Sequence, residues 1–354
     1  MRARFNIGSP KQLGEILFEK MGLPKSRKTK TGYSTDAETL QKLLPKHPII
    51  EDILDYRQVT KLKSTYADGL LKAADSEGRI HSALNQTGTA TGRLSSSEPN
   101  LQNIPVRTEL GRKFRQFFIP KNEEYILIDA DYSQIELRLL AHVANDEAMI
   151  ASFLSGEDIH TMTASRVFGV PVEQVTQDLR KKAKAVNFGI MYGIGEYSLS
   201  EDLLISRAQA KAYIDSYFEK FPQIRAYLDQ VQEDAKQNGY VTTIFGRRRY
   251  IPELASSNRN VQHFGERIAM NSPIQGTAAD IIKVAMIRVD EKLKALGLDA
   301  NMILQVHDEL LIECHRDCAA QVREILVSCM EGAVDLSVPM SVEASMGRTW
   351  YEAK

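Results

Sequence analysis

Two short apolar runs, in different halves of the chain, each lead into acids. Tyr125-Ile126-Leu127-Ile128-Asp129-Ala130 ends at Asp131, and Met302-Ile303-Leu304-Gln305-Val306 runs into His307-Asp308-Glu309. Runs this short and this apolar read as buried strands, so each acid emerges from the end of a rigid element. Only a fold that brings the chain back across a long insertion can set those two strand ends side by side. Leu310-Leu311-Ile312-Glu313 follows the second acid group at once, which predicts a tight antiparallel hairpin with Asp308 and Glu309 at its tip.

The segments around these runs are mostly helical in pattern. Helices are expected near Lys11–Met21, over Asp36–Leu44 and Ile49–Ala73, with Ser34-Thr35-Asp36 as a cap and Lys25–Thr35 as a loop. Thr87–Ile104 is a long polar connection of the kind that tends to be functional. A helix is expected over Ile135–Val143, and residues 146–238 read as helical with an interruption at 167–171. Tyr240–Ile244 and Arg249–Ile251 read as a hairpin, followed by two helices over Asn260–Met270 and Ala278–Leu296. A helix over Cys318–Ala333 and a last strand over Pro339–Ala344 complete the pattern. Strands separated by long helical insertions define an α+β class, with helices on one face of a sheet.

At 354 residues and 43% hydrophobic content, the chain can bury one large multi-lobed core or several smaller ones. No apolar run is long enough to span a bilayer, and nothing apolar follows the basic residues 1–4 as a secretory signal requires, so a cytoplasmic protein without membrane partners is expected. Cys314, Cys318 and Cys329 are odd in number and contain no CxxC pair, against a disulfide framework. Cys314, His315 and Cys318 recruit no second pair to complete a zinc site. The net charge of −1 speaks against a nucleic-acid partner, yet positive charge gathers locally at Lys25–Lys30, at Lys61 and Lys63, at Arg180–Lys184 and at Arg247–Arg249. Each such run alone is also what a solvated face looks like.

Arg180, Lys184, Phe188 and Tyr192 recur every fourth residue, so on a helix they form one inclined stripe about 18 Å long. Such a stripe fits a nucleoside triphosphate lengthwise, cations on the phosphates and aromatics at the sugar and base. A basic amphipathic helix with its aromatics in a core has the same spacing. The two aspartates at strand ends, taken singly, are equally at home as turn residues. Taken together, they can hold two Mg2+ ions, which keep waters and need few protein ligands.

AspTyrSerGlnIleGluLeuArg at 131–138, ArgLysLysAlaLysAlaValAsnPheGlyIleMetTyrGly at 180–193 and GlnValHisAspGluLeu at 305–310 resemble motifs A, B and C of the A-family DNA polymerases, of the bacterial DNA polymerase I type. The segments 91–105, 245–250 and 275–280 match the same family, in order, and the resemblance runs from about Phe5 onward. It implies a right-hand polymerase fold with an antiparallel-sheet palm, helical fingers and a partial helical thumb. Residues 1–105 would be the partial thumb and its connection, 106–145 and 240–354 the palm, and 146–239 the fingers. The implied activity is template-directed nucleotidyl transfer from a dNTP to a primer 3'-hydroxyl.

The same resemblance implies residue roles. Asp131, Asp308 and Glu309 would be the catalytic acids, with Asp131, Asp308 and the Tyr132 carbonyl as ligands for two Mg2+ ions, Mn2+ serving as a substitute. Arg180, Lys184, Phe188, Tyr192, His160 and Gln134 would line the nucleotide site. Glu136 resembles the steric gate that fills the space of a ribose 2'-hydroxyl. Lys63, Arg93, Asn100, Asn103, Arg249, Arg267, Asn271, Gln275 and His307 would contact primer–template DNA, checking base-pair shape without reading sequence. A monomer is expected. The family's polymerase region begins before the segment matching Phe5 and its neighbours, so the thumb is expected to be incomplete, with no proofreading or 5'-nuclease domain. A single-subunit RNA polymerase is the nearest alternative, with Glu136 against it; a silent DNA-binding module is another, with the intact acids and stripe against that.

Overall fold

A computed structural model describes residues 5–30, 32–106 and 108–354; the basic residues 1–4 lie outside them. Contacts within the chain group into two units, Met1–Ala83 and Leu84–Lys354.

In the first unit the helical periodicity gathers Leu13, Leu17, Phe18, Leu40, Leu43, Ile50 and Ile53 into a small core. Its long helix runs through Ile49–Lys61, a wider π-type segment Leu62–Ala67 and Asp68–Ala73. Asp36 caps the preceding helix, Ala37–Leu43, by accepting the Thr39 amide at 2.8 Å. The Ser34 hydroxyl and the Thr39 amide hold the Asp36 carboxyl down at about 2. The expected loop over Lys25–Thr35 carries a two-strand ladder, Lys28–Thr29 against Gly32–Tyr33, too short to leave a periodic signal.

The second unit is built on one antiparallel sheet. Its strands are β1 (Tyr125–Tyr132), β2 (Ala300–Val306), β3 (Glu309–His315) and β4 (Val342–Gly347), in the order β4-β1-β3-β2. The central strands β1 and β3 are buried almost throughout, which is why they read as continuous apolar runs. The edge strands β2 and β4 alternate between half-buried and exposed positions over their first four residues. A two-residue connection, His307-Asp308, joins β2 to β3, with His307 in the left-handed region at φ 51°. The last strand is displaced from the expected Pro339–Ala344 to Val342–Gly347, because it pairs with β1 through Val342↔Tyr132 and Gly347↔Leu127.

Helices α1 (Ile135–Ala144), α2 (Ile159–Phe168), α3 (Gln177–Met191), α4 (Arg259–Ala295) and α5 (Ala319–Glu331) share one core with the sheet, through residues such as Ile128, Leu139, Val186, Ile190, Ile281 and Leu326. The two helices expected over Asn260–Met270 and Ala278–Leu296 are a single helix of 37 residues with Pro273 inside it. Proline removes one amide and crowds the preceding turn, but Ala269, Ile274, Ala278 and Ile281 are buried on both sides of it, and this packing carries the helix through. Among the described residues, no helix is long and apolar enough to cross a membrane.

Candidate active site

Pairing of β1 with β3 sets Asp131 opposite Glu309, and the Tyr132 amide donates to the Asp308 carbonyl at 3.2 Å. The two expected acids are therefore neighbours, and both line a cavity of about 710 Å3 together with Arg112, Arg115, His307, Glu309 and Lys354. Tyr132 sends its hydroxyl away, to the Met330 carbonyl at 2.6 Å, which leaves only its backbone for any role in this cavity. Burial, with the charges of Glu136 and Asp131 adding and Arg93 opposing, pushes the Asp308 carboxyl up to about 6.

Glu309 departs from its expected place at the hairpin tip. It opens β3 and is 5% exposed. Its carboxylate accepts from Trp350 Nε1 at 2.8 Å, from Arg115 at 3.3 Å and from Lys354 at 2.6 Å. Trp350 Nε1 also donates to Asp129 at 2.9 Å. Burial and the adjacent Glu309 charge raise Asp129, whose proton is shared toward Glu309; Glu309 is held down against its own burial by that bond and by Lys354 and Arg115. Asp129, Arg115, Trp350 and Lys354 were not read from the sequence as site residues. Only Asp129 left a usable signal, since it lies two residues before Asp131 on the same face of a strand.

Glu136 lies on the first turn of α1, directly after Gln134, which turns the chain from β1 into the helix in the left-handed region at φ 57°. Its buried carboxylate accepts from Tyr192 at 2.7 Å and from Arg93 at 2.9 Å. The same Arg93 nitrogen stands 3.9 Å from Asp308. Arg93, expected on DNA alone, thus links Glu136 to an acid at the strand end. Burial and Glu136 push the Tyr192 hydroxyl up to about 12, with a Gln275 hydrogen bond opposing.

The stripe falls on α3 as expected, capped by Thr176, with Tyr192 just past its end. Arg180 is held by Asp158 through two bonds, at 3.0 and 2.7 Å. Although burial raises Asp158, the Arg180 and Thr161 bonds hold its carboxyl down at about 2. His160 is buried on α2, bonded to Asn187 at 3.0 Å and tilted against Phe188 at 5.8 Å. Burial, with Lys184 and Arg180 adding, lowers its pKa to about 4, so the imidazole is neutral near pH 7. Gly189 and Gly193 are required sterically: a Cβ on Gly189 would lie 2.7 Å from Ile194, and Gly193 has φ 69° and packs on Arg267.

The remaining expected DNA contacts are spread over several elements. Asn100 caps the turn Leu101–Asn103. Arg249 donates to Ser272 at 2.8 Å, and Arg267 lies over Phe264 at 5.8 Å. The Asn271 carbonyl oxygen is buried without a hydrogen-bond partner. Lys63 belongs to the first unit, where it pairs with Asp68 at 2.7 Å.

No group of three His, Cys, Asp or Glu side chains forms a preformed metal cage among the described residues. The donor set at the strand ends is two hard carboxylates, one of them raised chiefly by burial and the other already bonded to an ammonium, Lys354 to Asp131 at 2.7 Å. Such oxygens fit Mg2+ or Mn2+, which draw their other ligands from water and substrate.

An antiparallel sheet that presents two acids at adjacent strand ends, with a cationic helix linked to it through Glu136 and Tyr192, is the arrangement of a right-hand nucleotidyl-transfer fold. The chain belongs to DNA polymerase family A, whose family model matches residues 1–352. It is similar to DNA polymerase I of Caldicellulosiruptor bescii, 55% identical over 99% of this chain and 41% of that protein. It is 54% identical to DNA polymerase I of Bacillus subtilis, over 99% of this chain and 40% of that one. The chain thus spans about two fifths of the length of these curated relatives. Among solved structures it resembles the POL domain of Pol1 from M. smegmatis in complex with DNA primer-template and dNTP, with a TM-score of 0.94 and 49% identity, covering 99% of this chain and 62% of that one.

Proposed function

We propose that this chain is a template-directed DNA polymerase. The primer 3'-hydroxyl attacks the α-phosphorus of a bound dNTP, a new phosphorus–oxygen bond forms, the α–β bridging bond breaks, and pyrophosphate leaves. What supports the reading most is the shared cavity of Asp131 and Asp308, in which burial raises Asp308 to about 6. These two carboxylates and the Tyr132 carbonyl would hold two Mg2+ ions, or Mn2+ in their place. Bound there, the ions supply Lewis acidity to the attacking and leaving oxygens.

The chain's own residues do the rest. Arg180 and Lys184 grip the triphosphate, Arg180 exchanging Asp158 for a phosphate oxygen, while neutral His160 supports Phe188 against the nucleotide. Glu136, fixed by Tyr192 and Arg93, fills the space beside the sugar where a 2'-hydroxyl would sit, and Gln134 sets the turn that places it. Arg249, Arg267, Gln275, His307, Asn100, Asn103 and the unpartnered Asn271 would face primer–template, with Lys63 gripping duplex from the first unit. In this reading 106–145 and 240–354 form the palm, 146–239 the fingers, and 1–105 a partial thumb and its connection. The protein works as a cytoplasmic monomer.

Primer extension with and without Mg2+ tests this. Extension by the wild type that needs Mg2+ and disappears in Asp131→Asn and in Asp308→Asn, with primer–template binding retained, is the expected result. Extension surviving in either variant refutes the assignment.

A further inference from the structure

Lys354 sits among acids. Its Nζ is 2.7 Å from Asp131 Oδ2, 2.6 Å from Glu309 Oε2 and 3.9 Å from Asp129 Oδ1. The two close bonds differ in kind. Glu309 has a side chain 6% exposed, pinned from behind by Trp350 and Arg115, and Arg115 lies 4.0 Å over the Trp350 ring. Asp131 has a side chain 41% exposed and opens onto the cavity. The lysine therefore has one fixed anchor and one exchangeable partner.

We propose that Lys354 is a positioning residue: a tethered counter-ion that holds Asp131 in place while no divalent cation is bound, and that competes with such a cation for the same carboxylate. The proposal rests on the reading that Asp131 is a metal ligand. An ammonium and a divalent cation on one carboxylate repel each other at close range, and the part of Asp131 that lines the cavity is open to exchange. On arrival of the cation the ammonium gives up Asp131 and stays on Glu309. Glu309 then acts as the anchor of the counter-ion, which explains why a carboxylate beside the metal acids is buried and bonded to a tryptophan, an arginine and a lysine.

Mn2+ binding to the full chain without DNA, read from the free-ion signal in electron paramagnetic resonance, tests this without reference to turnover. Lys354→Met is expected to bind Mn2+ about tenfold more tightly than wild type, the effect of deleting one like charge beside a partly exposed carboxylate. Lys354→Arg should stay near wild type, and adding Asp131→Asn to Lys354→Met should erase the gain. A thermal melt confirms folding, and Lys354→Gln carries the same expectation if the methionine variant does not fold. Unchanged or weaker Mn2+ binding in the charge-deleted variants, or no binding at Asp131 in either wild type or Lys354→Met, overturns the proposal. Extension assays on the same proteins keep the two readings apart: a polymerase killed by Asp131→Asn whose Mn2+ affinity ignores Lys354 loses only this inference, whereas extension surviving Asp131→Asn removes the metal-site reading beneath it.

Discussion

The acids and the cations of the site are held in place by different means. The backbone positions of Asp131 and Asp308 are fixed by the sheet, where strand register puts Asp131 opposite Glu309 and the Tyr132 amide donates to the Asp308 carbonyl, while the Asp131 side chain keeps Lys354 as a partner. Arg180 and Lys184 project from a helix, and Arg180 is held by Asp158, a partner that a phosphate would replace in the proposed function. A metal site must be preorganised because the ligand geometry sets the chemistry. A triphosphate clamp must let go after each addition, so a side-chain ion pair suits it better than a backbone ladder.

Substitutions should show that asymmetry in graded form. The largest expected effect is at the fixed acids, where Asp131→Asn or Asp308→Asn should abolish extension with primer–template affinity nearly unchanged, measured by single-turnover kinetics and DNA titration. Next comes Glu136→Ala, which removes the shared acceptor of Tyr192 and Arg93. Discrimination against ribonucleotides should fall about a hundredfold in competition assays, and unaltered discrimination would detach Glu136 from the sugar. On the mobile side, Arg180→Ala should raise KM for dNTP about tenfold while kcat changes less. Phe188→Tyr should ease the use of dideoxynucleotides, and constant terminator sensitivity would count against that pocket.

Acid should separate the two sides as well. Asp308 is raised to about 6, so as pH falls through that value it takes a proton, which relieves an unfavourable charge in the fold; on the proposal that it holds a cation, activity should drop there while the fold persists. Asp158 is held at about 2, so its contribution to stability is present above the unfolded value of 3.8 and is lost only as pH falls toward 2. The smallest effect is Asp158→Ala, which deletes the α2 cap and should cost about 1 kcal/mol in thermal or denaturant unfolding.

Much of this was legible in the residues because local patterns and strand ends agree. The apolar runs at Tyr125–Ile128 and Met302–Val306 marked the two site strands, and spacing by four placed the stripe on one helix. The layer beneath the acids was not legible. Trp350, Lys354 and Arg115 lie far from Asp131 or Glu309 in sequence, and only the folded sheet brings them together. The gap expected between Met270 and Ala278 is closed for the opposite reason: the local helix-breaking character of Pro273 is outweighed by burial on both sides of it. Glu309 was misplaced because a polar pair at a hairpin turn looks solvated until Trp350 and Arg115 are seen to enclose it.

Crystals of the chain with primer–template, a non-hydrolysable dNTP and Mn2+, examined by anomalous scattering, give the most direct test. The expected map has Mn2+ peaks bridging the carboxylates of Asp131 and Asp308, with the triphosphate on Arg180 and Lys184. Mn2+ bound away from those two carboxylates, or a triphosphate that ignores the α3 stripe, would contradict the account.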